Sequence, residues 1–337
     1  MKKLKVLSIG LLFIFLFMSV ILFVACEKEA SAAEVYTMIS IPKLRATWFD
    51  RMEVGLIEAG KEYGIKVSQQ APASADEAQQ VRIMEDAINQ GNNAILVVPN
   101  DANSIVPAFE RAQSKGIVTI THESPQQQSA DFDVEMIDNV AFGEKAMDLM
   151  VEDMGTESGK YAVFVGSLTV PAHNIWADAA IVLAEKKYPG LEKIATRYPV
   201  SEDQNAARQT ALDIITANPD IKGFLCFGSQ GGPGAAQALR EKGLIGKIAV
   251  IGTTAPSQAK KYIEDGSMTT AILWDPAEAG YAMVYLAKTV LEGNKDKVDI
   301  DFEIPTLGSP LIVKGNTLIY DRPLIVTKDN IDQYQGF

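Results

Sequence analysis

From Val35 onward, short apolar runs alternate with amphipathic ones, and few folds accommodate that rhythm. The segments 35–40, 65–68, 94–98 and 117–121 have the length and content of strands. Helical patterns separate them at about 50–63, from a capping box at Ser74-Ala75-Asp76-Glu77 to Gly91, and at about 104–114. The rhythm restarts after Asp138. Helices at 142–153, 173–187, 204–217, 233–242 and 257–265 lead in turn to strands at 161–165, 193–198, 223–227, 248–251 and 269–273. A helix at 277–292 and a strand-rich stretch with turn residues Gly308, Pro310, Gly315 and Pro323 close the chain. Strand–helix alternation predicts an α/β fold with parallel sheets covered by helices on both faces. Two successive sets predict two Rossmann-like, three-layer lobes. Ligands bind such sheets beyond the carboxyl ends of the strands, so two facing lobes make a cleft.

The first residues predict export. Lys2, Lys3 and Lys5 precede an uncharged stretch at 7–25, the layout of a secretion signal. Phe23-Val24-Ala25-Cys26 resembles a lipoprotein processing site, although Leu is usual where Phe23 stands. That reading makes 1–26 a signal peptide, Cys26 the lipidated residue and 27–34 a tether. An uncleaved anchor, or a conventional signal cut near Ala30-Ser31-Ala32-Ala33, also sends the chain from Val35 onward outside the cytoplasm. The expected location is therefore extracytoplasmic and lipid-anchored.

Composition narrows the function. A formal net charge of -12 disfavours nucleic acid. Cys26 and Cys226 are the only cysteines, and His122 and His173 the only histidines, so the usual nucleophiles, bases and metal ligands are scarce. His122 beside Glu123 is a poor metal pair, because adjacent side chains diverge. His173 has no partnered nucleophile. The glycine-rich 228–234 stretch lacks the Lys-Ser/Thr ending of a phosphate loop. An enzyme, a cofactor and a metal are not expected.

What stands after the strands is a different inventory. The first half offers Lys43, Arg45, Trp48, Phe49, Asn100, Asp101, His122 and Glu123, with Asp138 and Asn139 at the junction. The second half offers His173, Asn174, Trp176, Ser229, Gln230, Thr253, Thr254, Trp274 and Asp275. Such a mixture suits sugars, whose hydroxyls donate and accept and whose C–H faces pack on aromatic rings. Plainer roles compete: Asn100 and Asp101 read first as a helix cap, and Trp48 and Phe49 serve equally as core.

The runs IPKL at 41–44, VVPNDANSIVPAFERAQSKGI at 97–117, NIW at 174–176, ILWDPAEAGY at 272–281 and KDNIDQY at 328–334 carry a resemblance. The chain is similar to the type I periplasmic sugar-binding proteins of ABC transporters, within them to the autoinducer-2 and rhamnose binding branch. The resemblance covers about 35–337. It implies the periplasmic binding protein-like I fold with a three-segment hinge, placed near Asp138, near Asp275 and near 300–305. One lobe then holds 35–138 and 276–302, the other 139–275 and 303–337. It implies that Lys43 reaches the ligand and that Glu123 replaces an Asp that binds hydroxyls. Ala172 and His173 stand where autoinducer-2 binders have Asp and Gln, Phe227 and Ser229 where they have Pro and Ala, and Thr254 and Asp275 where relatives often touch sugar. Of the signature autoinducer-2 contacts only Lys43 is unchanged, so a pentose, deoxyhexose or polyol is the preferred ligand class. The expected ligand set is Lys43, Trp48, Phe49, Glu123, Asp138, His173, Asn174, Phe227, Ser229, Thr254 and Asp275. The expected partners are the ligand and a membrane permease, with the chain itself a monomer. A sensor that presents its sugar to a chemoreceptor or kinase is the alternative. A two-lobe transcription regulator is set aside, because a secretion-like leader precedes Val35.

Overall fold

The computed structural model describes residues 35–334 and 337. The expected signal peptide, Cys26 and the tether at 27–34 lie outside the described residues.

The first set of units runs β1 (Thr37–Ile41), α1 (Thr47–Tyr63), β2 (Lys66–Gln69), α2 (Glu77–Asn89), β3 (Ala94–Val97), α3 (Val106–Ser114), β4 (Val118–His122) and β5 (Phe132–Glu135). The second runs α4 (Asn139–Met154), β6 (Ser158–Val165), α5 (Pro171–Lys187), β7 (Gly190–Lys193), β8 (Tyr198–Pro199), α6 (Gln204–Ala217), β9 (Ile221–Cys226), α7 (Gly231–Lys242), β10 (Ala249–Gly252), α8 (Pro256–Asp265) and β11 (Thr270–Leu273). Then come α9 (Pro276–Leu291), β12 (Ile312–Lys314), β13 (Thr317–Ile319) and β14 (Leu324–Val326).

Two sheets result, each the centre of one lobe. The first has the order β12-β13-β5-β4-β3-β1-β2, the second β14-β11-β10-β9-β6-β7, with β8 also paired to β6. All pairings are parallel except β12 with β13 and β11 with β14. Strands β3, β4, β5, β10 and β11 are buried along their whole length, as parallel strands covered on both faces must be.

The chain passes from the first sheet to the second between Glu135 and Asn139, and returns between Leu273 and Pro276. Its third passage lies between Ile319 and Leu324, and this corrects the expectation near 300–305. The stretch from 303 to 319 belongs with the first lobe. Strand β13 covers the open edge of β5 in parallel register, Leu318 beside Val134, and Asn316 donates to the carbonyls of Gln127 and Ala130. Strands of three residues between turns have too little periodicity to reveal this from sequence.

Caps set where several helices begin. Asp76, not Ser74, caps α2 by accepting from the Gln79 amide at 2.8 Å, which corrects the predicted capping box. Asp138 caps α4 and Asp275 caps α9, each at a passage between lobes.

Within the first lobe, α1 and α9 pack unusually closely. A Cβ on Gly55 would stand 1.8 Å from the Ala277 carbonyl oxygen, and one on Gly280 would stand 2.4 Å from that of Met52. The obstacle in each case is backbone, so no rotamer change relieves it. Gly55→Ala should therefore cost about 2 kcal/mol, the scale of an overpacked core. Urea unfolding with a shifted midpoint and unchanged slope is the expected result; an unchanged midpoint would refute the close approach.

Candidate functional site

The carboxyl ends of both sheets face one small cavity. From the first lobe it is lined by Lys43, in the loop after β1, by Trp48 and Phe49, in the first turn of α1, and by Glu123, directly after β4. From the second come His173 and Trp176 on α5, Glu202 after β8, Gly228 and Ser229 after β9, and Thr253 after β10. Trp274 enters from the passage between β11 and α9. The space open to a water centre is about 10 Å³, room for about one molecule.

Lys43 lies at the middle and is 2% exposed. Its ammonium donates to Glu123 Oε2 at 2.7 Å and approaches Glu202 Oε1 at 3.3 Å and His173 Nε2 at 3.0 Å. It thus joins carboxylates of both lobes. Burial pulls its pKa down, but the two carboxylates outweigh burial and hold it above the ordinary value, so Lys43 is charged. Phe49 supplies a ring 5.9 Å from the same nitrogen. Burial raises the pKa of Glu202, partly offset by Lys43.

Glu123 has φ +58, a left-handed conformation that a non-glycine residue adopts at a cost. The loop holds it there and aims its carboxylate at Lys43, the kind of strain that collects at functional sites. Gly228 is the complement: φ is +122, and a Cβ would meet Ser201 Cβ at 2.7 Å and His173 Cε1 at 3.0 Å.

Both histidines are neutral for reasons visible in their surroundings. Burial, reinforced by the Lys43 charge, pushes His173 well below its ordinary pKa. Its Nδ1 accepts from the Gly166 amide at 3.1 Å, so the ring proton sits on Nε2, the atom facing Lys43. A donor faces a donor there, and the carboxylates on either side hold them together. Burial also lowers His122. Its Nδ1–H donates to the Val134 carbonyl at 2.6 Å, and its Nε2 accepts from Trp274 Nε1–H at 3.2 Å. His122 therefore orients an indole of the cavity wall. Among the described residues no cluster of His, Cys, Asp or Glu could hold a metal ion.

The indoles interlock. Trp48 and Trp274 meet edge to face with centroids 5.1 Å apart, and Trp176 and Trp274 at 5.5 Å. Trp176 Nε1–H donates to Asn139 Oδ1, and Asn139 donates in turn to Glu135.

Of the residues expected from sequence, Lys43, Trp48, Phe49, Glu123, His173 and Ser229 come together here. Five do not. Asp138 is spent on capping α4 and stands in a separate groove. Asn174 donates to the carbonyls of Ser167 and Val170 and accepts from Arg197, which holds a loop in place. Phe227 is core behind the cavity, 5.9 Å from the Trp176 ring. Thr254 donates to Gln258, and it is its neighbour Thr253 that reaches the cavity. Asp275 takes both Nε and Nη2 of Arg51, at 2.9 and 2.6 Å, in addition to its cap.

Glu202 was missed. The loop 200–203 follows a strand just as the other site loops do, but Ser201 to Asp203 read as the entry to a helix, and Asp203 does cap α6. Ala172, where the resemblance implies an Asp in autoinducer-2 binders, is buried and brings no polar group; the second lobe's carboxylate comes from Glu202 instead.

Comparison with known proteins gives concordant results. Residues 37–295 match the family described as periplasmic binding protein domain. The D-allose-binding periplasmic protein of Escherichia coli is 28% identical over 262 residues, 75% of this chain and 83% of that relative. The ribose import binding protein of Bacillus subtilis is 24% identical over 292 residues, 84% of this chain and 93% of its own. A Clostridium saccharobutylicum protein solved with autoinducer-2 superposes with a TM-score of 0.81 at 26% identity, covering 89% of this chain and 99% of that one. A solute-binding protein of Clostridium phytofermentas with bound L-rhamnose gives 0.81 at 25% identity, covering 89% and 98%.

Behind Glu123, two acids share one face of β5. Asp133 and Glu135 are fully buried, and each retains a carboxylate oxygen with no hydrogen-bond partner. Burial raises Asp133 from 3.8 to about 7, and burial together with the Asp133 charge raises Glu135 well above its usual range. A raised carboxyl pKa means that the folded state holds its proton more tightly than the unfolded chain. Its contribution is full below about 3.8 and is lost as pH rises through about 7. The wild type should lose stability between pH 5 and pH 8. In Asp133→Asn, which keeps the shape, that loss should shrink by on the order of 2 kcal/mol. Thermal unfolding across that range checks it, and parallel pH profiles would refute it.

Proposed function

Because the chain belongs to the periplasmic binding protein family, we propose that it is the extracytoplasmic solute-binding component of an ABC importer and holds a small neutral sugar or sugar-like ligand between its lobes. The observation that carries this reading is the cavity itself. Both lobes contribute charged and hydroxyl groups to one buried, tryptophan-walled space, and two of those atoms, Glu202 Oε1 and Thr253 Oγ1, have no hydrogen-bond partner. Buried polar atoms are normally paired, so these are poised for a ligand. Pentoses, deoxyhexoses, polyols and autoinducer-2-like molecules supply the hydroxyls and the apolar ring face that the walls accept. The protein is a binding protein and not an enzyme, as its family is.

Entry requires movement. A cavity of about 10 Å³ admits no sugar, so Lys43 must swing aside or the lobes must part. Such motion would break contacts between the lobes, among them Lys43 against His173 and Glu202, and Thr169 Oγ1, which donates to Glu77 Oε1 at 3.0 Å. Ligand bridging Lys43 and Glu123 on one side with His173, Glu202 and Thr253 on the other would favour closure, because only contacts to both lobes shift that equilibrium. The closed form is the one a permease would recognise.

A thermal-shift screen over pentoses, deoxyhexoses, polyols and autoinducer-2 should give at least one clear stabilisation. Lys43→Ala should then weaken binding of that compound by about 1–3 kcal/mol in calorimetry, since a buried group loses its partner. No stabilisation by any compound would sink the sugar reading.

The leader belongs to the same proposal: cleavage before Cys26 and lipidation of that thiol would tether the lobes to the membrane face. Cys26→Ser should move the protein from the detergent phase to the aqueous phase in Triton X-114 partition. Equal partition of both forms would rule out the anchor.

A further inference from the structure

Glu202 is the acidic group in the cavity with an idle oxygen. Its side chain is 7% exposed, and its Oε1 lies 3.3 Å from Lys43 Nζ without the alignment of a hydrogen bond. The shorter Lys43 contact, at 2.7 Å, goes to Glu123. His173 Nε2 is 3.9 Å away, beyond hydrogen-bond reach. One carboxylate oxygen is therefore buried and ion-paired to the lysine but without a hydrogen-bond donor, an arrangement that costs stability unless something donates to it.

We infer that Glu202 determines ligand specificity: its free oxygen accepts from one hydroxyl of the bound molecule, and together with Glu123 it excludes ligands that carry a carboxylate or phosphate. The inference rests on the sugar reading above. A hydroxyl donating to a carboxylate makes a short, charge-assisted bond, stronger than one to a neutral amide. Exclusion follows from the local charge. Two carboxylates surround one ammonium, and His173, neutral, does not make up the difference. An anionic ligand would bring a third negative charge into a space walled by Trp48, Trp176 and Trp274, where it has no further cation to meet.

Calorimetry on the full chain tests this with D-ribose, D-allose and L-rhamnose, their monodeoxy forms, and D-ribonate, on wild type, Glu202→Gln and Glu202→Asp. For the sugar the wild type binds, Glu202→Gln should weaken affinity roughly ten- to a hundredfold. One monodeoxy form should lose a similar factor on the wild type and almost none on Glu202→Gln, which a merely structural role would not produce. D-ribonate should bind the wild type and Glu202→Asp at least about tenfold more weakly than D-ribose, and the gap should narrow in Glu202→Gln. Circular dichroism melting verifies that the variants fold. Sugar affinity unchanged by Glu202→Gln, or losses that simply add, would overturn the inference and leave the sugar reading standing. No binding by the wild type of these sugars or of any compound in the thermal-shift screen would overturn both.

Discussion

The ammonium of Lys43 holds the site together. It is buried from water and can be so only because Glu123 and Glu202 come within 2.7 and 3.3 Å. One carboxylate belongs to each lobe, so the charge balance of the centre depends on how the lobes meet. Removing one partner of such a cluster leaves an uncompensated buried charge, which explains why the surrounding residues are constrained so tightly: Glu123 in a left-handed turn, Gly228 where a side chain would collide with His173. The donor-to-donor contact of His173 and Lys43 belongs to the same economy. It is tolerable because two carboxylates flank it.

Around this centre the aromatic wall acts as a frame. Trp48 comes from the first lobe, Trp176 from the second and Trp274 from a passage between them. The indole N–H groups of Trp274 and Trp176 are engaged by groups outside the cavity, His122 and Asn139. Asn139 opens the helix that Asp138 caps, and it bonds Glu135 at the end of β5. Hinge and cavity therefore share residues. Asp275 does similar work at the second passage, capping α9 while Arg51 clasps its carboxylate. Aspartates at these junctions are mechanical parts.

The fold is legible in the amino-acid sequence where the hydrophobic period is strong. The strand–helix alternation predicts the α/β class and two parallel sheets, and both are found. It failed for the last stretch, where β12 and β13 join the first sheet, because strands of three residues between turns carry no readable pattern and their destination depends on which edge is left open. For the cavity, the expectation that ligand-facing residues follow strands places Lys43, Trp48, Phe49, Glu123, His173 and Ser229 at its wall. Asp138, Asn174, Thr254 and Asp275 instead satisfy backbone or neighbouring side chains away from that wall, and Phe227 is core. Capping and ligand contact use the same residue types at the same loop position, and sequence cannot separate them.

The sequence alone determined the architecture and the polar-plus-aromatic chemistry of the loops, because hydrophobic period and residue type act locally. Tertiary structure decided which carboxylate serves the second lobe, which face of each loop meets the cavity, where the chain makes its third passage, and which tautomer His173 carries. Those depend on distances between groups as far apart in the chain as Lys43 and Glu202, and such distances are settled by packing of whole lobes and not by any neighbouring residue.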